Sequence, residues 1–185
     1  TLYKTNADTL ILNDTIGVSN YLRVEQGVLK DNGNNINVYG DIYFNGRHLW
    51  GETGDGILLK GSAQQEIKGN GVYGKLSLKN PEGAIIPETG NNIYIDDELQ
   101  MDEGVLNIGG NLIELDSNAV IVEKSAFSAN NMIQTNISFT DAGIKKYFSP
   151  ISSTTNFVYP IGSKGKYTPV SMEITNSNQF GYLRV

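Results

Sequence analysis

Tyr21 to Asp41, YLRVEQGVLKDNGNNINVYGD, is a unit that recurs along the chain and indicates its fold. Glu98 to Asn118, ELQMDEGVLNIGGNLIELDSN, matches it at a shift of 77 positions. A third copy lies between them: Leu76 to Leu78 match the first apolar pair, and Gly90 to Ile95 match the Gly-Asn turn and the strand after it. The unit therefore repeats with a constant internal order.

Each unit contains two alternating apolar residues, a Gly turn, a short apolar step, a Gly-Asn turn and two more alternating apolar residues. Alternation at period two predicts β-strands, and Gly and Asn are the residues that best accept positive φ in turns. A unit of roughly 20 residues cannot bury its own apolar face, so copies are expected to stack. These patterns predict an all-β parallel β-helix, or β-solenoid. An antiparallel β-sandwich with ordinary hairpins is the alternative.

The composition excludes several classes of function. The chain has 185 residues, is 39% hydrophobic and 18% charged, and carries a net charge of −6. This acidity argues against nucleic acid as a partner, because phosphates require a basic face, and against docking on anionic lipid. The absence of cysteine excludes disulfides and thiolate metal sites. The chain contains no run of 18 apolar residues, so no membrane-spanning segment is predicted.

The residue composition changes after Glu123, where glycine becomes less frequent and Ser, Thr and Asn dominate. We therefore predict two domains: a β-helical repeat domain over 1–124 and a small β-sandwich-like or hairpin module over 125–185. Two strands are expected around the loop Gly162 to Lys166, with Pro160 and Pro169 at strand edges or bulges. Short helices are predicted only over 125–132 and 141–147. The chain begins at Thr1 without a methionine, so we expect it to be part of a longer parent chain.

The repeats and the segment that follows them resemble the large repetitive cell-surface proteins of the Bacteroidetes, which the type IX secretion system exports. The most specific part is a [FY]-P-[IV]-G…Y-x-P-[VL] signature, which stands here as Tyr159 to Gly162 followed by Tyr167, Pro169 and Val170. The resemblance implies an extracellular or cell-surface location and a structural or adhesive role, and it carries over no catalytic residue. Two short motifs also resemble the O-glycosylation sites of that phylum, at Thr9 and Thr15.

Surface aromatic residues are the first candidates for ligand binding. Tyr43 and Trp50 are predicted to stack against sugar rings, as part of a set that also includes Tyr39, Phe44, Tyr73 and Tyr94. The alternative is that these aromatic side chains pack inside the β-helix or cover its surface.

Carboxylates at Asp96, Asp97 and Asp102 bracket a predicted strand and are candidate ligands for calcium, which favours oxygen-rich loops. Solvated turn charges are the other interpretation, because no EF-hand or glycine-rich calcium repeat is present. The sequence predicts no cofactor other than calcium at these carboxylates. His48, the only histidine, is expected to be solvated in a Gly-rich loop rather than catalytic.

These observations predict a non-enzymatic structural or adhesive module of a secreted or surface-anchored repeat protein, with glycans or other surface proteins as partners. One alternative is a β-helix that binds or cleaves polysaccharides. A second is an assembly subunit, in which Thr1 to Asn20 or Phe180 to Val185 pairs with the sheet edge of another chain.

Overall fold

The chain forms a parallel β-solenoid of about six turns, in which strands of successive coils stack into three columns. The computed structural model describes residues 1–87, 90–135 and 142–185, and these residues contain strands and turns but no helix. The predicted all-β, β-helical fold is therefore confirmed. The antiparallel sandwich is wrong for the body of the chain, since its strands pair in parallel from one coil to the next.

The first column is a nine-stranded sheet whose last strand is antiparallel to the rest. Its strands are β1 (Leu2–Lys4), β4 (Tyr21–Val24), β7 (Asp41–Phe44), β10 (Gln65–Lys68), β12 (Ala84–Ile85), β14 (Leu106–Gly109), β17 (Ile133–Thr135), β20 (Ile161–Ser163) and β21 (Lys166–Tyr167).

The second and third columns belong to one sheet, because two long strands run through the corner between them. The second column contains β2 (Thr9–Ile11), β5 (Val28–Lys30), β8 (Arg47–Leu49), the first parts of β11 (Val72–Lys79) and β13 (Ile93–Glu103), β15 (Leu112–Leu115), β18 (Gly143–Phe148) and antiparallel β23 (Gly181–Arg184). The third contains β3 (Ile16–Val18), β6 (Ile36–Val38), β9 (Ile57–Leu59), the second parts of β11 and β13, and β16 (Val120–Glu123).

The core consists of the inward-facing residues of all three columns. In β7, Ile42 and Phe44 are completely buried while Asp41 and Tyr43 are only half-buried, which is the alternation that the repeat predicted. One cluster of buried aliphatic and aromatic side chains runs from Leu12 to Tyr159. The Phe44 and Tyr73 rings stack within it, with centroids 4.8 Å apart.

Asparagine side chains connect the turns of successive coils, which explains why the sequence contains so many. The Asn45 Oδ1 accepts a hydrogen bond from the Asn70 N–H at 2.8 Å, and the Asn70 Oδ1 accepts one from the Asn92 N–H at 2.7 Å. The Asn92 Oδ1 in turn accepts from the Leu112 N–H at 3.3 Å. Each amide thus satisfies a backbone donor that the turn would otherwise leave unpaired.

Parallel stacking continues past residue 124: β17 pairs with β14, β18 with β15, and β20 with β17. The division into two domains stays a prediction. A separate antiparallel pair, β19 (Thr155–Tyr159) and β22 (Val170–Ile174), lies off the columns. The predicted pair of strands around Gly162 to Lys166 is confirmed as antiparallel, but the loop is shorter than expected, because Gly162, Ser163 and Lys166 belong to β20 and β21. Pro160 and Pro169 interrupt the two arms, since neither can donate to a ladder.

Both predicted helices are wrong where the structure describes them. Residues 125–132 form turns and one isolated bridge between Ser128 and Asn131. Asp141 lies outside the described residues, but Gly143–Phe148 is strand β18. Ile144, Lys146 and Phe148 are buried on one side of this strand, so period-two burial overrides its helix-like composition.

Gly104 ends strand β13 in a conformation with φ of 104°, and a Cβ at this position would overlap the backbone carbonyl oxygen of Asn80. We expect Gly104→Ala to lower the free energy of unfolding by about 2–4 kcal/mol, through left-handed strain and overpacking. Gly165→Ala is the matched control, because Gly165 has φ of 70° but no atom within 4 Å of the added Cβ, so only about 1 kcal/mol is expected. Urea unfolding measures both, and equal losses would contradict the steric explanation.

Candidate functional site

Tyr43 belongs to a row of side chains on the outer face of the first column. Parallel register places Tyr3 beside Arg23 and Arg23 beside Tyr43. The Arg23 Cζ lies 4.4 Å from the Tyr43 ring centroid and 5.9 Å from that of Tyr3. Glu25 accepts a hydrogen bond from the Arg23 Nε at 2.8 Å, which orients the guanidinium. We call Tyr3, Arg23 and Tyr43 the tyrosine–arginine ladder.

The ladder is accessible and held in place. Tyr3 is 62% exposed and Tyr43 is half-buried, while Ile42 and Phe44 beside Tyr43 are core residues and Leu2 beside Tyr3 packs against the core. The Asn45 Nδ2 donates to the Tyr43 hydroxyl at 2.8 Å. Aromatic rings spaced along a rigid sheet face can stack against flat apolar ligand surfaces with little loss of conformational entropy.

Trp50, the second predicted stacking residue, lies in the corner between the second and third columns rather than near the ladder's face. Its Nε1 donates to the Thr53 carbonyl at 2.8 Å. The Lys75 Nζ lies 4.8 Å from its ring centroid, and this almost completely buried ammonium also pairs with Glu98 at 3.0 Å. One side of the indole is therefore occupied by a lysine, and Tyr43 and Trp50 do not form a single platform.

Two other members of the predicted aromatic set are core residues, since Phe44 is completely buried and Tyr73 is 1% exposed. Their assignment to a sugar-binding platform is wrong. Inward and outward aromatic residues look alike in sequence, because the strand phase decides which face each one occupies.

The three predicted calcium ligands lie within one strand, β13, but have different partners. Asp96 pairs with Arg47, and burial raises the pKa of Asp96. Burial and the neighbouring charge of Asp96 raise the pKa of Asp97. Asp102 accepts a hydrogen bond from the Gln100 Nε2 at 3.0 Å. Over 1–87, 90–135 and 142–185, no group of three or more acidic, His or Cys side chains is arranged to hold a metal ion.

A hollow of about 230 Å³ on the second column was not predicted. Tyr94, Glu114 and Lys145 stand side by side in register, and Tyr147 closes the hollow. The Lys145 Nζ pairs with the Glu114 Oε2 at 3.0 Å, and the Tyr147 hydroxyl donates to the same oxygen at 3.1 Å. Tyr94 and Glu114 are 20 positions apart in the sequence, and Glu114 and Lys145 are 31 apart, so only knowledge of the coil lengths could have grouped them.

His48 is not solvated, which corrects the sequence-based expectation: it is completely buried beside the equally buried Asp31. The His48 Nε2 lies 3.0 Å from the Asp31 Oδ2. The Asp31 Oδ1 accepts hydrogen bonds from the backbone N–H groups of Gly33 at 2.9 Å and Gly51 at 2.8 Å. Asp31 therefore connects its own turn to the turn of the next coil, a structural task.

Thr9 and Thr15, the predicted glycosylation positions, are both exposed in the first coil. The Thr15 Oγ1 accepts a hydrogen bond from the Asn35 N–H at 3.2 Å, whereas Thr9 begins strand β2. Glycosylation at either residue stays a prediction.

Comparison of the chain with protein-family models, with curated proteins and with solved structures finds no match in any of the three. Within the described residues, no helix is both long enough and apolar enough to cross a membrane.

Proposed function

We propose that this chain is a non-enzymatic structural and adhesive module of a large secreted or surface-anchored repeat protein, and that its tyrosine–arginine ladder binds extended glycans. The observation that carries the proposal is the register of Tyr3, Arg23 and Tyr43 on one outer face. Parallel strands lie about 4.8 Å apart, so the two tyrosines, two coils apart, present rings along the solenoid axis about 10 Å from each other. An extended sugar chain lying along this axis can contact both.

The solenoid suits the structural part of this role. Each coil buries its apolar residues against its neighbours, so stability accumulates coil by coil and length can change without a new fold. The outer faces remain free to vary, because inward and outward positions alternate along each strand. Adhesion is then the sum of many weak contacts along a rigid face.

The test is a glycan-array screen of the whole chain, read with and without calcium. We expect a selective set of extended glycans to bind, and Tyr43→Ala to weaken that binding about three- to tenfold through the loss of one stacking contact. Because the predicted calcium ligands do not share a site, chelation is expected to leave binding unchanged.

Tyr39→Ala is the matched control, since Tyr39 is 47% exposed but is not part of the ladder. Absence of glycan binding, or equal losses in the two variants, would contradict the proposed role of the ladder. The unfolding midpoint of each variant is measured in parallel, so that a loss of folding is not mistaken for a loss of binding.

A further inference from the structure

The third column ends earlier than the other two. Beyond β14 the first column continues through β17 and β20 and is closed by antiparallel β21, and beyond β15 the second continues through β18 and is closed by antiparallel β23. The third column stops at β16, whose only strand partner among the described residues is β13. One edge of β16 therefore presents backbone N–H and C=O groups without a strand to pair with.

A slot of about 510 Å³ lies beside β16, and no residue of its paired strand β13 lines this slot. One wall is β16 itself, with Val120, Ile121 and Glu123, and the other is Asn156–Val158 of β19. Val120 is 45% exposed and Val158 is 43% exposed, so aliphatic side chains of both walls are left in contact with water. The slot thus combines an unpaired strand edge with apolar walls.

We propose that this slot binds an extended peptide segment of a partner protein, which adds a strand to β16 and carries a basic residue beside Glu123. The proposal goes beyond glycan binding, because the ligand is a polypeptide and its surface is separate from the tyrosine–arginine ladder. It predicts the chemistry of the partner segment: alternating aliphatic residues with one Lys or Arg.

The free edge identifies the occupant as a polypeptide. A row of alternating backbone donors and acceptors is matched in spacing by another extended backbone, which is how β-augmentation works. The third column also explains why the partner segment should have aliphatic residues at alternate positions. Ile121 continues the inward-facing row of Leu99, so a strand added to β16 would place every second side chain against apolar neighbours.

The charge of Glu123 indicates that the partner segment carries a basic residue. Glu123 is aligned with the buried Met101 of the preceding coil, but the residue is exposed, and its carboxylate accepts a 3.2 Å hydrogen bond from the Phe127 N–H, its only hydrogen bond with the described residues. A cation on the incoming strand would pair with this carboxylate at the rim of the slot. The chain's net charge of −6 disfavours a second copy and favours a basic segment.

The test uses a panel of synthetic seven-residue peptides with blocked ends and a fluorescent label, titrated against the whole chain by fluorescence anisotropy. The panel varies the aliphatic residues at alternate positions, includes or omits one lysine, and contains matched members in which a central residue is proline. We expect binding by alternating peptides that carry lysine, and loss of binding in the proline members, because proline cannot donate to the ladder.

Two variants locate the binding. Val120→Lys introduces a charge at the slot wall and is expected to weaken binding at least tenfold, while Val170→Lys, at a 39% exposed position outside the slot, is expected to leave it unchanged. Glu123→Gln keeps an acceptor for the Phe127 N–H and is expected to weaken only the lysine peptides, about two- to fivefold, as at an exposed ion pair.

Three outcomes would overturn the proposal. Proline members that bind as well as their parents would exclude strand pairing. Binding to Val120→Lys equal to that of the unmodified chain would place the peptide elsewhere. Finally, concentration-dependent dimers that form without peptide and vanish in Val120→Lys would assign the slot to a second copy of the chain.

Discussion

Phe44→Ala is expected to lower the free energy of unfolding by about 3–5 kcal/mol, as is typical of truncating a buried aromatic side chain. The Phe44 side chain is completely buried and its ring stacks on Tyr73 at a centroid distance of 4.8 Å. Removing it leaves a cavity in the middle of the solenoid, where coils on both sides prevent collapse of the surrounding side chains. Urea unfolding followed by circular dichroism measures the loss.

Tyr43→Ala is the control for this prediction, because Tyr43 is the adjacent residue of the same strand and faces outward. Its truncation removes a similar aromatic ring but leaves no buried cavity, so a loss of about 1 kcal/mol or less is expected. Comparable losses in the two variants would contradict the arrangement of β7 in which Phe44 faces the core and Tyr43 faces outward. The same comparison separates the effect of Tyr43 on glycan binding from an effect on folding.

Asp31→Ala is expected to lower the free energy of unfolding by about 3–5 kcal/mol, because it leaves buried donors without an acceptor. The two backbone N–H groups of Gly33 and Gly51 and the imidazole of His48 all lose their partner. Asp14→Ala is the control, because Asp14 is an exposed corner aspartate of the preceding coil whose one hydrogen bond with the described residues comes from the N–H of Thr15. A change within about 0.5 kcal/mol is expected.

The buried Asp31 carboxylate also makes the stability of the fold depend on pH. Burial alone raises the pKa of Asp31, but hydrogen bonds from His48, Gly33 and Gly51 outweigh it, so the pKa lies below its usual value of 3.8. The carboxylate holds its proton more weakly in the folded than in the unfolded chain. Its stabilising contribution is therefore complete above the usual value and is lost as the pH falls through the lower, folded value.

Unfolding free energies measured between neutral pH and about pH 3 test this linkage. The unmodified chain is expected to lose stability on acidification more steeply than Asp31→Ala, which lacks the titrating group. Parallel curves for the two proteins would show that the Asp31 carboxylate does not contribute to the acid sensitivity of the fold.

Candidate surfaces were only partly predictable. The sequence predicts Tyr43 as a stacking residue but does not reveal its neighbours Tyr3 and Arg23, since they lie two coils and one coil away. His48 was expected in solvent because its neighbours in sequence are polar and Gly-rich. It is buried because its strand, β8, aligns it with Leu29 of the inward-facing row.

The sequence by itself determined that this chain stacks short strands into a solenoid, because alternation and Gly-Asn turn chemistry are local properties. Only the tertiary structure decided which column each strand joins. Leu22 and Leu99 match in the repeat, yet Leu22 stands in the first column and Leu99 in the third. The physical reason is that every column requires the same inward-facing apolar pair, while coil length in the first column varies from 19 residues between Gln65 and Ala84 to 28 between Ile133 and Ile161. Coil length, set by how turns pack, therefore decides which distant side chains become neighbours.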